Sequence, residues 1–137
     1  IAKSAEEGGA DGIVAINTVR AMKIDLDLKI PILSNKIGGY SGKAIKPIGV
    51  RCVYEISKSV DIPVIGVGGI TSGEDALEYI MAGSSAVQIG SGIYYRGIDV
   101  FKKICNEMEV WMKDNGYNNI SKLIGVAHKW IIQKQYK

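Results

Sequence analysis

PVIGVGGITSGEDALEYIMAGSSAVQIGSG, residues 63–92, reads as one complete strand–helix–strand unit. Residues 63–67 form a short apolar run rich in β-branched side chains, and it passes directly into Gly68 and Gly69. A helix is expected over residues 73–82. Ser72 stands three residues before Asp75, a capping-box spacing, and Gly83 suits the position after a helix end. A second apolar run, residues 86–89, ends on Gly90, Ser91 and Gly92. Strands of a parallel sheet covered on both faces carry apolar residues continuously rather than alternately, so both runs read as buried parallel strands.

The same grammar extends outward. GIVAI, residues 12–16, is a third such run, and EEGGADGIVAINT (residues 6–18) echoes IMAGSSAVQIGSG (residues 80–92). Between the first and second runs, Ile45, Ile48, Val53, Ile56 and Val60 recur at helical spacing, with Pro47 tolerable in the first turn. A longer amphipathic helix is expected over residues 100–115, stopping near Gly116, and another over residues 120–132. Residues 19–40 are too many for an ordinary loop. Their centre, KIDLDLKIPIL, alternates like a strand and suggests an ordered excursion. Strands alternating with helices point to a (β/α)₈ barrel or an open doubly wound sheet.

The chain has 137 residues, 47% apolar and 23% charged, which fits one globular core. Its net charge of +3 is scattered, which argues against a nucleic-acid surface. Cys52 and Cys105 lack metal-ligand spacing and fit a reducing compartment. No apolar run reaches membrane-spanning length, and a cytoplasmic location is expected. The start at Ile1, already in helix-like sequence, suggests a segment of a longer chain.

Chemistry concentrates at the strand ends. Gly68 and Gly69 follow one strand, Gly90 and Ser91 the next, and bare backbone there lets an anion approach the amides. Consecutive glycine-marked ends followed by a short extra turn match the phosphate site formed after strands seven and eight of (β/α)₈ barrels. Tight turns without a ligand are the plainer alternative. GVGG, residues 66–69, is no dinucleotide fingerprint, because the third spaced glycine and the acidic strand-end residue are missing. Asn17 and Thr18 close the first run, where an amide and a hydroxyl can address a planar polar ring or merely form a local turn. IGGYSG, residues 37–42, permits close backbone approach to a flat ring, or a hinge. His128, Trp111, Trp130 and the tyrosines read as packing or surface residues, and no metal cluster is visible.

Taken together, AINT, IGGYSGKAIKP, IPVIGVGGI with EDALEYIMAG, and AVQIGSG resemble consecutive blocks of class 1 dihydroorotate dehydrogenases. The resemblance extends to about Phe101 and is nearest the subgroup that pairs with an iron–sulfur flavoprotein subunit. It implies an α/β chain, the C-terminal half of a (β/α)₈ TIM barrel, with residues 1–137 belonging to one FMN-binding domain whose N-terminal half is absent. By resemblance, Asn17 and Thr18 bind dihydroorotate or orotate. Ile16 and Gly42 contact FMN, and Gly68, Gly69, Gly90 and Ser91 hold its phosphate. Ser91 stands where the family commonly has Thr and keeps the hydroxyl. Tyr40 replaces the more usual Leu.

The implied activity is FMN-dependent oxidation of (S)-dihydroorotate to orotate in UMP biosynthesis. Implied partners are a homodimer mate and an iron–sulfur/FAD electron-transfer subunit. The family's catalytic cysteine has no counterpart here, since Cys52 and Cys105 fall on expected outer helices, so no catalytic residue is assigned. Three strands cannot close a barrel, and the segment alone is expected not to turn over dihydroorotate. Another phosphate- or FMN-binding barrel enzyme, or a non-catalytic ligand-binding half-barrel, would share the glycine loops.

Overall fold

The computed structural model describes residues 1–129. In order, the chain forms α1 (Ala2–Glu7), β1 (Ile13–Ala15), β2 (Val19–Ala21), β3 (Ile24–Asp25), β4 (Ile30–Pro31) and β5 (Gly38–Tyr40). A 3-10 turn, Lys43–Ile45, leads into α2 (Lys46–Ser57), followed by β6 (Val64–Val67), α3 (Gly73–Met81) and β7 (Ala86–Gln88). Then come α4 (Gly92–Arg96), α5 (Val100–Asp114) and two further 3-10 turns, Ile120–Lys122 and Val126–Lys129.

The three apolar runs are the three strands of one parallel sheet, in the order β1-β6-β7. Ala15 pairs with Gly66 and Gly66 with Val87, so all three strands end on the same side. This is the α/β pattern of a partial (β/α)₈ barrel. Ala15, Val64 and Gly66 are buried beneath the helices, in a core with Val53, Ile70, Ala76, Tyr79, Val100 and Ile104. Burying each large apolar side chain in such a core is worth about 1.5–3 kcal/mol. Ser72 and Asp75 form a complete capping box at the start of α3, as their spacing predicts.

One expectation, the tail helix, needs correction, and two other features add detail. Among the described residues only one sheet face is covered by helices. Val14, in register with Ile65 and Ala86 on the other face, is 56% exposed. The alternating stretch 23–33 lies in the ordered excursion that its pattern suggests and forms the β3–β4 hairpin. Asp25 Oδ1 accepts the amides of Asp27 and Leu28, and Lys29 takes φ +57°, so the chain reverses there. The tail is not a continuous helix over residues 120–129. Asn119 Oδ1 caps a single turn through the Ser121 amide, and Gly125 at φ +69° breaks the chain before the next. Residues 130–132 of that expected helix, and Trp130 with them, lie outside the described residues.

Candidate functional site

The parallel register brings the tips of β6 and β7 side by side, with the tip of β1 on the other flank of β6. Ile16, Gly68 and Gly90 therefore share one end of the sheet. The Ile16 amide donates to the Val67 carbonyl at 2.9 Å, which closes the ladder just below that end. Beyond it, Gly68 at φ +133° and Gly69 at φ +72° adopt backbone that side chains disfavour.

Three side chains hold this turn. Buried Tyr79 donates its hydroxyl to the Gly68 carbonyl at 2.7 Å. Asp75 Oδ2 accepts the Thr71 amide at 2.8 Å, the Thr71 hydroxyl at 2.9 Å and the Ser72 amide at 3.0 Å. Its other oxygen accepts from Lys46 Nζ at 2.8 Å, and Lys46 also reaches Glu78. Burial opposes ionisation of Asp75, but Lys46 and the Thr71 donors outweigh it and hold the carboxyl below its ordinary range. Finally, Arg96 donates to the Thr71 carbonyl at 2.9 Å and pairs with Glu107. That guanidinium keeps the Glu107 carboxyl below the usual carboxylate range.

Gly42 joins this end. A side chain on Gly69 would stand 2.7 Å from the Gly42 carbonyl and 2.9 Å from the Lys46 amide, so only glycine allows the loop before α2 to close on the tip of β6. The result is a recess walled by Lys43, Lys46, Gly69, Thr71, Ser72 and Asp75. On the neighbouring tip, nothing lies within 4 Å of where a Gly90 side chain would be, so the backbone there faces open space. Ser91 opens α4 without capping it through its hydroxyl.

Asn17 and Thr18 sit in a second, more open recess with Arg20, Asn35, Ile37, Gly38 and Gly39. Asn17 Oδ1 accepts the Thr18 amide at 2.7 Å and its hydroxyl at 3.3 Å, the local turn that the dipeptide also allowed. That arrangement spends the Asn17 carbonyl on Thr18 and leaves its NH₂ as the outward donor. Antiparallel pairing of β2 with β5 sets Gly39 opposite Arg20, two residues along from Thr18, and a side chain on Gly39 would overlap the threonine hydroxyl. The two recesses share no wall residue and are bridged by the loop from Tyr40 to Gly42.

Lys46, Asp75, Tyr79, Arg96 and Glu107 were not singled out from sequence as parts of the site. Only Asp75 carried a signal, its capping-box spacing, and that spoke for the helix alone. Cys52 and Cys105 lie on α2 and α5 as free thiols. His128 packs on Tyr54, with ring centroids 4.4 Å apart, and its Nε2 lies 3.1 Å from the Ser57 hydroxyl, so its role is packing. Trp111 packs against the cluster of Leu77, Ile80 and Leu123. Among the described residues no group of His, Cys, Asp and Glu could hold a metal ion, and no helix is long and apolar enough to cross a membrane.

Residues 1–112 match the family model described as dihydroorotate dehydrogenase. The chain belongs to the dihydroorotate dehydrogenase family. It is 56% identical over 129 residues to the dihydroorotate dehydrogenase B (NAD(+)) catalytic subunit of Methanocaldococcus jannaschii, covering 94% of this chain and 42% of that protein. The protein of the same description from Pyrococcus horikoshii is 56% identical over 126 residues, covering 92% of this chain and 42% of that one. A crystal structure of the Eimeria tenella enzyme in complex with ferulenol superposes with a TM-score of 0.78 at 31% identity, covering 95% of this chain and 34% of that one. The chain thus spans less than half the length of these dihydroorotate dehydrogenases. Every wall residue of both recesses falls within the part that matches the family, whereas the 3-10 turns after Asn119 lie beyond it.

Proposed function

We propose that this chain supplies the FMN-phosphate cradle and part of the substrate site of a dihydroorotate dehydrogenase that oxidises (S)-dihydroorotate to orotate in pyrimidine (UMP) biosynthesis. The observation that carries the reading is the adjacency of two glycine tips, Gly68–Gly69 and Gly90–Ser91, at one end of a parallel sheet. Residues 1–137 are then part of one FMN-binding (β/α)₈ barrel domain.

The residues present fit a flavin phosphate. The Gly90 backbone faces open space that a Cβ would begin to fill, and the Gly68–Gly69 turn holds a left-handed conformation that exposes backbone rather than side chain. Amides of Gly68, Gly69, Gly90 and Ser91 would bind the phosphate oxygens, with the Ser91 hydroxyl as a further donor. Ile16 and Gly42, on the flanks of the β6 tip, would meet the flavin ring. When bound, FMN supplies the hydride acceptor. Asn17, through its NH₂, and Thr18, through its hydroxyl oxygen, would orient the pyrimidine, and Arg20 adds positive charge suited to the substrate carboxylate. No proton-abstracting residue of this chain is assigned, so its contribution is position and electrostatics.

The description of the relatives as catalytic subunits of an NAD-linked enzyme supports an electron-transfer subunit as partner; in this proposal that subunit carries iron–sulfur and FAD groups, and the catalytic chain pairs with a second copy of itself in the cytoplasm. The test is spectroscopic. The full-length protein should bind FMN, its flavin band should bleach on adding dihydroorotate, and orotate should perturb the band. A protein that takes up no FMN, or whose bound FMN ignores both pyrimidines, overturns the proposal.

A further inference from the structure

We infer that Arg96 is a positioning residue for the phosphate cradle, locking the loops after β6 and β7 into one anion site without itself binding the anion. The inference rests on the FMN-phosphate reading above. Arg96 ends α4, the short helix that Ser91 opens, so it belongs to the second loop. Its Nη1 donates across to the Thr71 carbonyl of the first loop at 2.9 Å. The same nitrogen and Nη2 fork onto Glu107 of α5, at 3.1 Å and 2.6 Å. Glu107 Oε2 in turn accepts the amide of Gly73, the first residue of α3, at 2.7 Å. One guanidinium and one carboxylate therefore join four pieces of chain: both glycine loops, the start of α3 and the middle of α5.

Two close approaches show the junction to be tight. A side chain on Gly92 would stand 2.7 Å from the Ile70 carbonyl, so the second loop rests directly on the first. A side chain on Gly73 would stand 2.8 Å from the Met108 amide, so α3 begins against α5. Arg96 spends its charge on Glu107 and the Thr71 carbonyl, which separates its role from that of an anion ligand. The forked geometry also explains the residue type. A lysine offers one point charge and cannot span a carbonyl and both carboxylate oxygens together. Loss of the fork would let the two sets of amides drift apart, and only a ligand group gripped by both sets would register it.

That difference defines the test. FMN and riboflavin share the ring and differ in the phosphate, so the ratio of their Kd values isolates the cradle. In the full-length protein, wild type should prefer FMN, and Arg96→Met should lose at least about tenfold of that preference while riboflavin affinity holds within about twofold. Arg96→Lys should recover part of the preference, and Glu107→Gln, which keeps the shape of the side chain, should lose part of it. If Arg96→Met does not fold, the Arg96→Lys and Glu107→Gln ratios decide. Variants that keep the wild-type ratio, or lose FMN and riboflavin affinity equally, overturn the positioning role and leave the cradle standing. A wild type that binds riboflavin as tightly as FMN removes the cradle itself, and the inference with it.

Discussion

The Tyr79 hydroxyl donates to the Gly68 carbonyl at 2.7 Å, so the first glycine of the strand-end loop is anchored from α3 beneath the sheet. Two other glycines make that reach possible. A side chain on Gly66 would enter the Tyr79 ring, and one on Gly49 would overlap its hydroxyl. Burial raises the Tyr79 phenol to about 12, so its neutral, donating form persists well into alkali. The aromatic residue is thus a strut between helix, sheet and loop.

Tyr79→Phe removes the donor and leaves a carbonyl without its partner. It should lower stability by about 1–3 kcal/mol in urea denaturation. Gly49→Ala and Gly66→Ala should each cost more through overpacking. Their pairing with Tyr79→Phe then discriminates. The phenylalanine should rescue part of the Gly49→Ala loss, which falls mainly on the hydroxyl, and none of the Gly66→Ala loss, which falls on the ring. Equal rescue of both would show that the hydroxyl does not set the fit.

Acid should undo the loop before it undoes the core. Asp75 and Glu107 both have carboxyls held below their ordinary range. A depressed folded pKa contributes stability that is fully present above the unfolded value of about 4, and the contribution disappears as pH falls through the lower folded value. Melting temperature should therefore fall with pH below about 4, and Asp75→Asn should flatten that fall while lowering stability at neutral pH. A wild-type and an Asp75→Asn profile that run parallel through this window would show that Asp75 carries no such linkage.

The strands were legible because each lies in one unbroken apolar run that ends on glycine or a polar dipeptide, and the capping box announced the start of α3. The tips of neighbouring parallel strands must meet, so the glycine pairs of the site could be read with them. What holds those tips could not. Lys46 meets Asp75 across 29 residues and Glu107 meets Gly73 across 34, and no local period encodes such contacts. The misread tail, and the hairpin inside the expected excursion, have a related cause. Alternation and apolar spacing continued through Asp25 and Gly125, where an Asx turn and a left-handed glycine override them.

Gly39 offers a test of the substrate recess independent of the phosphate cradle. Its missing side chain is what leaves room for the Thr18 hydroxyl, since a Cβ there would also stand 2.8 Å from the Thr18 Cβ. Gly39→Ala must therefore displace Thr18, and Thr18→Ala removes the same hydroxyl directly. If that hydroxyl addresses the pyrimidine, each variant should weaken orotate binding by about tenfold. FMN affinity should stay unchanged, because neither residue borders the cradle recess. The double variant should be little worse than either single one, because the second change removes an interaction already lost. Orotate titration of the flavin band in all four proteins measures this directly. Additive losses would mean that Gly39 and Thr18 serve the ligand separately, and a parallel loss of FMN would mean that the two recesses are one.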